Sequence, residues 1–392
     1  MIRRGVTAVA LALLLAAVPG VAEASPSKCD PPRGSVTVGE SWAQRRLDLK
    51  RAWTLSRGAG VTVAMVDSGV DLNHPQLEVA KFHDFTGTGY RDCLGHGTAV
   101  AGIIAGRYLK GVPYHGVAPD AQLIVLKQTN AESGGDVRVL ARAIRRAADL
   151  KADVINVSVQ AHDHPELRAA VQYARSRDAV IVAAAGNVEK EDGTPAPAYP
   201  AAYEGVLAVG SATPAGALAE SSNATTPVAL LGPGQQIVST WTGKSYMSGL
   251  EGTSFAAPYV AGVAALVRAR FPGLDEEAVR QRLVATADGT LGKGTGAGMV
   301  NPWQALTAIL PNEEGNTPVI APPPPSPLPA DVVAKAPPVD RQAIDIASGV
   351  AVTAIFAAFL VLAARVLIPL GRRRGWRPGK SVVPVRRLDG EP

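Results

Sequence analysis

Four polar residues lie within two positions of a glycine in stretches of mostly small side chains, and between them they carry the functional groups of acyl transfer. Asp67 opens Asp67-Ser68-Gly69, His96 lies in Gly95-His96-Gly97-Thr98, Asn187 closes Ala185-Gly186-Asn187, and Ser254 lies in Gly252-Thr253-Ser254-Phe255-Ala256. A serine hydroxyl is a weak nucleophile until a base takes its proton, and a histidine does this near neutral pH. A carboxylate orients such a histidine and stabilises its imidazolium form, while a side-chain amide and a backbone N–H at a helix start receive the oxyanion. Each residue also has a plainer role: Asp67 as a strand-end turn residue, His96 and Ser254 as helix caps, Asn187 as a left-handed turn residue. Gly97 and Gly252 suit close approach of backbone.

Groups so far apart in the chain need a rigid frame. Residues 61–66, 122–127, 152–158, 179–185 and 206–209 are apolar, β-branched runs that read as buried strands. Between and after them, 136–150, 168–177 and 259–270 have helical spacing, with arginines on the outer face of the first. Strand and helix in alternation predict an α/β fold, a mostly parallel sheet flanked by helices. In such sheets ligands gather at the carboxyl ends of the strands, where Asp67 and Asn187 fall.

Taken with their flanks, the four motifs resemble the subtilase family of serine proteases: DSGV, GHGTAVAGIIAG, AAAGN and GTSFAAPYVAGVAAL, in the order Asp, His, Ser. The resemblance covers about residues 42–308. It implies a subtilisin-like three-layer fold and a serine endopeptidase with Asp67, His96 and Ser254 as catalytic residues. Asn187 would be the oxyanion donor, and no cofactor or metal is expected. Ser158, Gln160, Ala183, Ala184, Ala185 and Gly186 would edge the substrate cleft. The family usually has glycine where this chain has Gln160, a change that narrows the pocket for the residue before the scissile bond. Asp71 and Asn73 are weak grounds for a calcium site. The remaining histidines, His74, His83, His115, His162 and His164, read as structural or solvated.

Rival chemistries fail on inspection. The serine is not in a G-x-S-x-G elbow, Gly292-Lys293 lacks the rest of a phosphate loop, and no Cys/His cluster points to zinc.

The 392 residues include 39 Lys+Arg and 34 Asp+Glu, for a net charge of +5 that invites a nucleic-acid reading. The distribution argues against it. Eight basic residues (Arg365, Arg372, Arg373, Arg374, Arg377, Lys380, Arg386, Arg387) crowd the last stretch of chain against Asp389 and Glu391, leaving the main body nearly neutral. Arg3 and Arg4 precede an apolar run and Ala22-Glu23-Ala24, which predicts a signal peptide over 1–24. An N-terminal extension (25–41) then leads to the peptidase domain (42–310). A Pro-rich linker (311–343) reads as an extended stalk, and 344–370 as a transmembrane helix followed by a basic tail (371–392) on the cytoplasmic side. The body would lie outside, where the chain's two cysteines, Cys29 and Cys93, are expected to form a disulfide.

Subtilases commonly carry a long inhibitory propeptide, for which 25–41 is too short. The short Cys-bearing extension, stalk, span and basic tail resemble the mycosins, membrane-anchored subtilases of type VII secretion systems. This resemblance implies a secreted protein or peptide substrate and association with the type VII secretion membrane complex at the cell membrane. A second role is open beside proteolysis: a structural subunit of that complex for which the triad is dispensable.

Overall fold

The computed structural model describes residues 29–131, 135–188, 196–290, 292–313 and 341–373. The expected signal peptide, most of the Pro-rich linker and nearly all of the basic tail lie outside the described residues.

Two short helices, α1 (Trp42–Arg46) and α2 (Leu49–Ala52), precede a seven-stranded sheet. Its strands are β1 (Thr62–Asp67), β2 (Val79–Asp84), β3 (Gln122–Lys127), β4 (Val154–Val157), β5 (Val180–Ala184), β6 (Leu207–Ala212) and β7 (Leu230–Pro233), in the order β2-β3-β1-β4-β5-β6-β7. Each of the six neighbouring pairs is parallel. A separate antiparallel hairpin joins β8 (Ile237–Trp241) to β9 (Ser245–Leu250). The helices are α3 (His96–Ala105), α4 (Val137–Asp149), α5 (Pro165–Ser176), α6 (Thr253–Arg270), α7 (Glu276–Ala285) and α8 (Pro302–Thr307).

Strand side chains alternate between faces, and both faces are covered. Val63, Met65, Leu123, Val125, Val180 and Val182 pack with α3 and α6. Their neighbours Ala64, Val66, Ile124, Leu126, Ile181 and Ala183 pack with α4 and α5. This double burial explains the unbroken apolar runs. Helix α6 is apolar all round and buried almost throughout, whereas α4 buries Leu140, Ile144 and Ala147 and turns Arg138, Arg142 and Arg145 outward.

Two helices start earlier than their apolar periodicity indicates. Helix α5 begins at Pro165 because the His164 side chain accepts the Glu166 N–H and proline suits the first turn. Helix α6 begins at Thr253 and carries Pro258 inside it. Proline has no N–H, so the Ser254 carbonyl lacks its helical donor and instead accepts from Ser158 Oγ at 2.8 Å. Asn156 Nδ2 donates to the same Ser158 Oγ at 2.9 Å. The missing donor of Pro258 thereby ties the end of β4 to the start of α6.

The stretch Arg341–Arg373 forms a separate unit, a single helix, α9. Within it Gly349–Arg372, 24 residues with a mean hydropathy of 2.5 over an 18-residue window, is long and apolar enough to cross a membrane.

Candidate active site

Asp67 is the last residue of β1 and wholly buried; His96 is the first residue of α3. His96 Nδ1–H donates to Asp67 Oδ1 at 2.7 Å. The same oxygen accepts the Ser68 amide at 2.7 Å. Gly97 permits this approach, since a Cβ there would lie 2.2 Å from the Gly69 carbonyl oxygen and 3.1 Å from Asp67 Oδ1.

A second buried carboxylate stands behind the first. Asp92 Oδ1 accepts from Ser68 Oγ (2.9 Å) and from the Leu94 and Gly95 amides (3.1 and 2.9 Å). Its Oδ2 accepts from the Thr98 amide and hydroxyl, both at 2.7 Å. Asp92 therefore satisfies donors at the start of α3 that the helix itself leaves orphaned. Lys127, at the end of β3, is buried and donates to the Arg91 carbonyl at 2.5 Å. Burial pushes its ammonium pKa down, while Asp84 and Asp92 act against that shift.

Asn187 follows β5. Its Oδ1 accepts the Thr253 amide at 3.0 Å and the Thr253 hydroxyl at 3.2 Å, which identifies Oδ1 as the accepting atom and leaves Nδ2 to donate elsewhere. Gly252, at φ 132°, is a position few other residues adopt. A Cβ on it would lie 3.2 Å from Asn187 Nδ2 and 3.5 Å from Ser254 Oγ, wedged between the two.

His96, Asn187 and Ser254 line one cleft of about 640 Å³, together with Ser158, Gln160, Ala184 and Gly186. Ala183 and Ala185 do not reach it. Ala183 faces the α4 and α5 layer by the strand's alternation, and Ala185 is fully buried with its carbonyl bound to Thr226 Oγ1. Gln160 lies over Gly186: its Oε1 would be 2.5 Å from a Cβ there. Asp71 uses both oxygens to hold loops, Oδ1 on the Asn73 amide and Oδ2 on the Gly243 and Lys244 amides. Cys29 and Cys93 are disulfide-bonded, which fixes the extension one residue from Asp92.

A serine, a histidine on a buried carboxylate and an amide donor in one cleft are the parts of a serine hydrolase. The family model for subtilases matches residues 58–305. The chain belongs to the subtilase family. Among its relatives, the thermophilic serine proteinase of Bacillus sp. (strain AK1) is 39% identical over 284 residues, covering 70% of this chain and 69% of that protein. Mycosin-3 of Mycobacterium tuberculosis is 37% identical over 356 residues, covering 74% and 77%. The crystal structure of MycP1 from the ESX-1 type VII secretion system superposes with a TM-score of 0.65 at 33% identity, covering 72% of this chain and 90% of that one. This subtilase is a serine endopeptidase similar to the mycosins.

Sequence reasoning missed several residues of the subtilase cleft and its support. Leu94, Gln128, Thr129, His162, Trp241 and Phe255 also line it. Leu94 directly precedes the His96 motif and Phe255 lies within the Ser254 motif, so proximity in the sequence is a signal for both. Trp241 reaches the cleft through the β8–β9 hairpin, whose position is set by distant contacts. Asp92 had a local signal, an acidic residue a few positions ahead of a helix start.

Proposed function

We propose that this subtilase hydrolyses peptide bonds through Asp67, His96 and Ser254, with Asn187 as an oxyanion donor. The observation that carries the reading is the 2.7 Å bond from His96 Nδ1–H to the buried Asp67, with His96 and Ser254 in the same cleft. With Nδ1 donating, the imidazole presents Nε2 as the base. His96 takes the Ser254 proton as Oγ attacks the carbonyl carbon, and the Asp67 carboxylate stabilises the imidazolium. Asp67 Oδ2 is buried with no hydrogen-bond partner among the described residues, so a positive charge forming on His96 is especially favourable. The Ser254 amide, at the start of α6, and Asn187 Nδ2 receive the oxyanion. His96 returns the proton to the leaving amine, and water then repeats the sequence to release the acyl group.

Ser158, Ala184, Gly186 and Gln160 form the pocket for the residue before the scissile bond. Gln160 occupies space above Gly186, and a small side chain is the one that fits. We place the body outside the cytoplasm: residues 1–24 as a signal removed after Ala24, residues 311–343 as a stalk, α9 as the membrane span and the basic tail as cytoplasmic. The likeness to mycosins supports secreted protein substrates and a type VII secretion complex as partner.

Comparing Ser254→Ala with deletion of the whole chain in its native cell tests this reading. Substrate cleavage lost in both, with the secretion complex intact in Ser254→Ala, assigns the proteolysis to Ser254. Cleavage retained in Ser254→Ala would refute it. Normal secretion in Ser254→Ala alongside failure in the deletion would add a structural role independent of the triad.

A further inference from the structure

We infer that Trp241 is a specificity-determining wall for the peptide that leaves, and that the N-terminal extension holds it in place. The inference rests on the proposed roles of His96 and Ser254. Gln160 and Gly186 mark the side of the cleft that takes the acyl half of the substrate. His96 delivers its proton to the leaving nitrogen, so the leaving chain runs on the His96 side of Ser254. There the cleft is walled by Leu94, Phe255 and Trp241, and the Phe255 and His96 rings lie 5.0 Å apart. These apolar surfaces suit an apolar residue immediately after the scissile bond.

Trp241 is 6% exposed and held from two sides. Its ring lies against Gly95, the residue before His96: a Cβ on Gly95 would come within 2.5 Å of three indole atoms, and Gly95 has φ 77°. Its Nε1–H donates to the Pro32 carbonyl at 2.7 Å. Pro32 lies in the extension, which is anchored on both sides of that bond. Cys29 is bridged to Cys93, and Ser35 exchanges two backbone hydrogen bonds of 2.8 Å with Tyr246 of β9. A cleft wall is thus braced by a segment ahead of the matched family region, through one indole N–H and one disulfide.

The test uses the full chain in detergent, acylated by a peptide ester ending in alanine and then offered leucinamide or glycinamide as competing nucleophiles. The readout is the ratio of leucinamide to glycinamide capture. This ratio is internal to each variant, and a purely structural loss lowers both captures equally. Wild type should favour leucinamide. Trp241→Ala should reduce the ratio about tenfold, the scale of an apolar pocket contact. Trp241→Phe, which keeps a ring and loses the N–H, should reduce it about threefold, as should reduction of the disulfide in wild type. An unchanged ratio in Trp241→Ala overturns the inference. If that variant does not fold, an unchanged ratio in fully reduced wild type overturns it. Failure of wild type to form any acyl-enzyme at Ser254 would instead refute the proposed triad, and this inference with it.

Discussion

The Ser68 hydroxyl donates to Asp92 Oδ1 at 2.9 Å while its oxygen stands 3.2 Å from Asp67 Oδ1, so one side chain bridges two buried carboxylates. Ser68 Oγ also accepts the Gly97 amide at 3.0 Å. The loop after β1 and the first turn of α3 are therefore locked together at the point where Asp67 meets His96.

Asp92→Asn breaks that lock. An amide in place of the carboxylate turns a donor toward either the Thr98 pair or the Ser68, Leu94 and Gly95 donors. Stability should fall by about 2–4 kcal/mol, the cost of buried donors left without an acceptor. The specific activity of the protein that remains folded should fall more than tenfold as His96 loses its position. Denaturant unfolding and active-site titration check the two effects separately. A variant with wild-type stability would show that Asp92 does not organise the helix start.

Asn187→Ala removes the proposed oxyanion donor and the acceptor for Thr253. Removing one such donor costs about 10²–10³ in kcat, the range known for subtilisin, a relative. KM should change little, because the oxyanion exists in the transition state and not in the bound substrate. Steady-state kinetics on a peptide substrate give both numbers. An equal rise in KM with unchanged kcat would place Asn187 in substrate binding instead.

Gln160→Gly should open the pocket before the scissile bond. Relative to an alanyl substrate, kcat/KM for a phenylalanyl substrate should rise about tenfold or more. An unchanged ratio would mean that Gln160 does not bound this pocket.

His74 links pH to stability. It is 2% exposed, its Nε2–H donates to the Ser245 carbonyl at 3.1 Å, and its Nδ1 accepts the Gln76 amide at 3.2 Å. Burial holds its pKa below the ordinary imidazole value, despite opposing pulls from the Ser245 carbonyl and Asp71. Burial likewise lowers His83 and His115. A histidine with a depressed folded pKa binds its proton more readily when unfolded, so stability is complete above about pH 6.5 and declines as pH falls below it. Protonated His74 would also set an Nδ1–H against the Gln76 N–H. Unfolding free energies between pH 7.5 and pH 5 should fall, with a shallower slope in His74→Gln than in wild type. Identical slopes would exclude His74 as a contributor.

What was legible in the sequence followed from local pattern. The strands ending at Asp67 and before Asn187 are short apolar runs bounded by polar or glycine residues, and the motif glycines mark where backbones meet. The periodicity places the start of the Ser254 helix too late because Pro258 falls within its first two turns, and the consequence of that proline appears only when Ser158 arrives from β4. The β8–β9 hairpin left little local signal. Its apolar residues face α3 and the extension, partners far away in the chain, so no neighbouring residue in the sequence marks Trp241. Adjacency to Ala184 and Gly186 suggests Ala183 and Ala185 as cleft residues, but the two-residue alternation of a strand excludes Ala183 and burial excludes Ala185.

The central claim is that Ser254 is the nucleophile activated by His96 on Asp67. Its most direct test is peptide mass mapping after treatment of the folded full chain with a fluorophosphonate, beside the His96→Ala and Ser254→Ala variants. One adduct on Ser254 in wild type, strongly slowed in His96→Ala and absent in Ser254→Ala, is the predicted result. An unlabelled Ser254 in folded wild type, under conditions that label another subtilase, or an adduct that persists in Ser254→Ala, would contradict it.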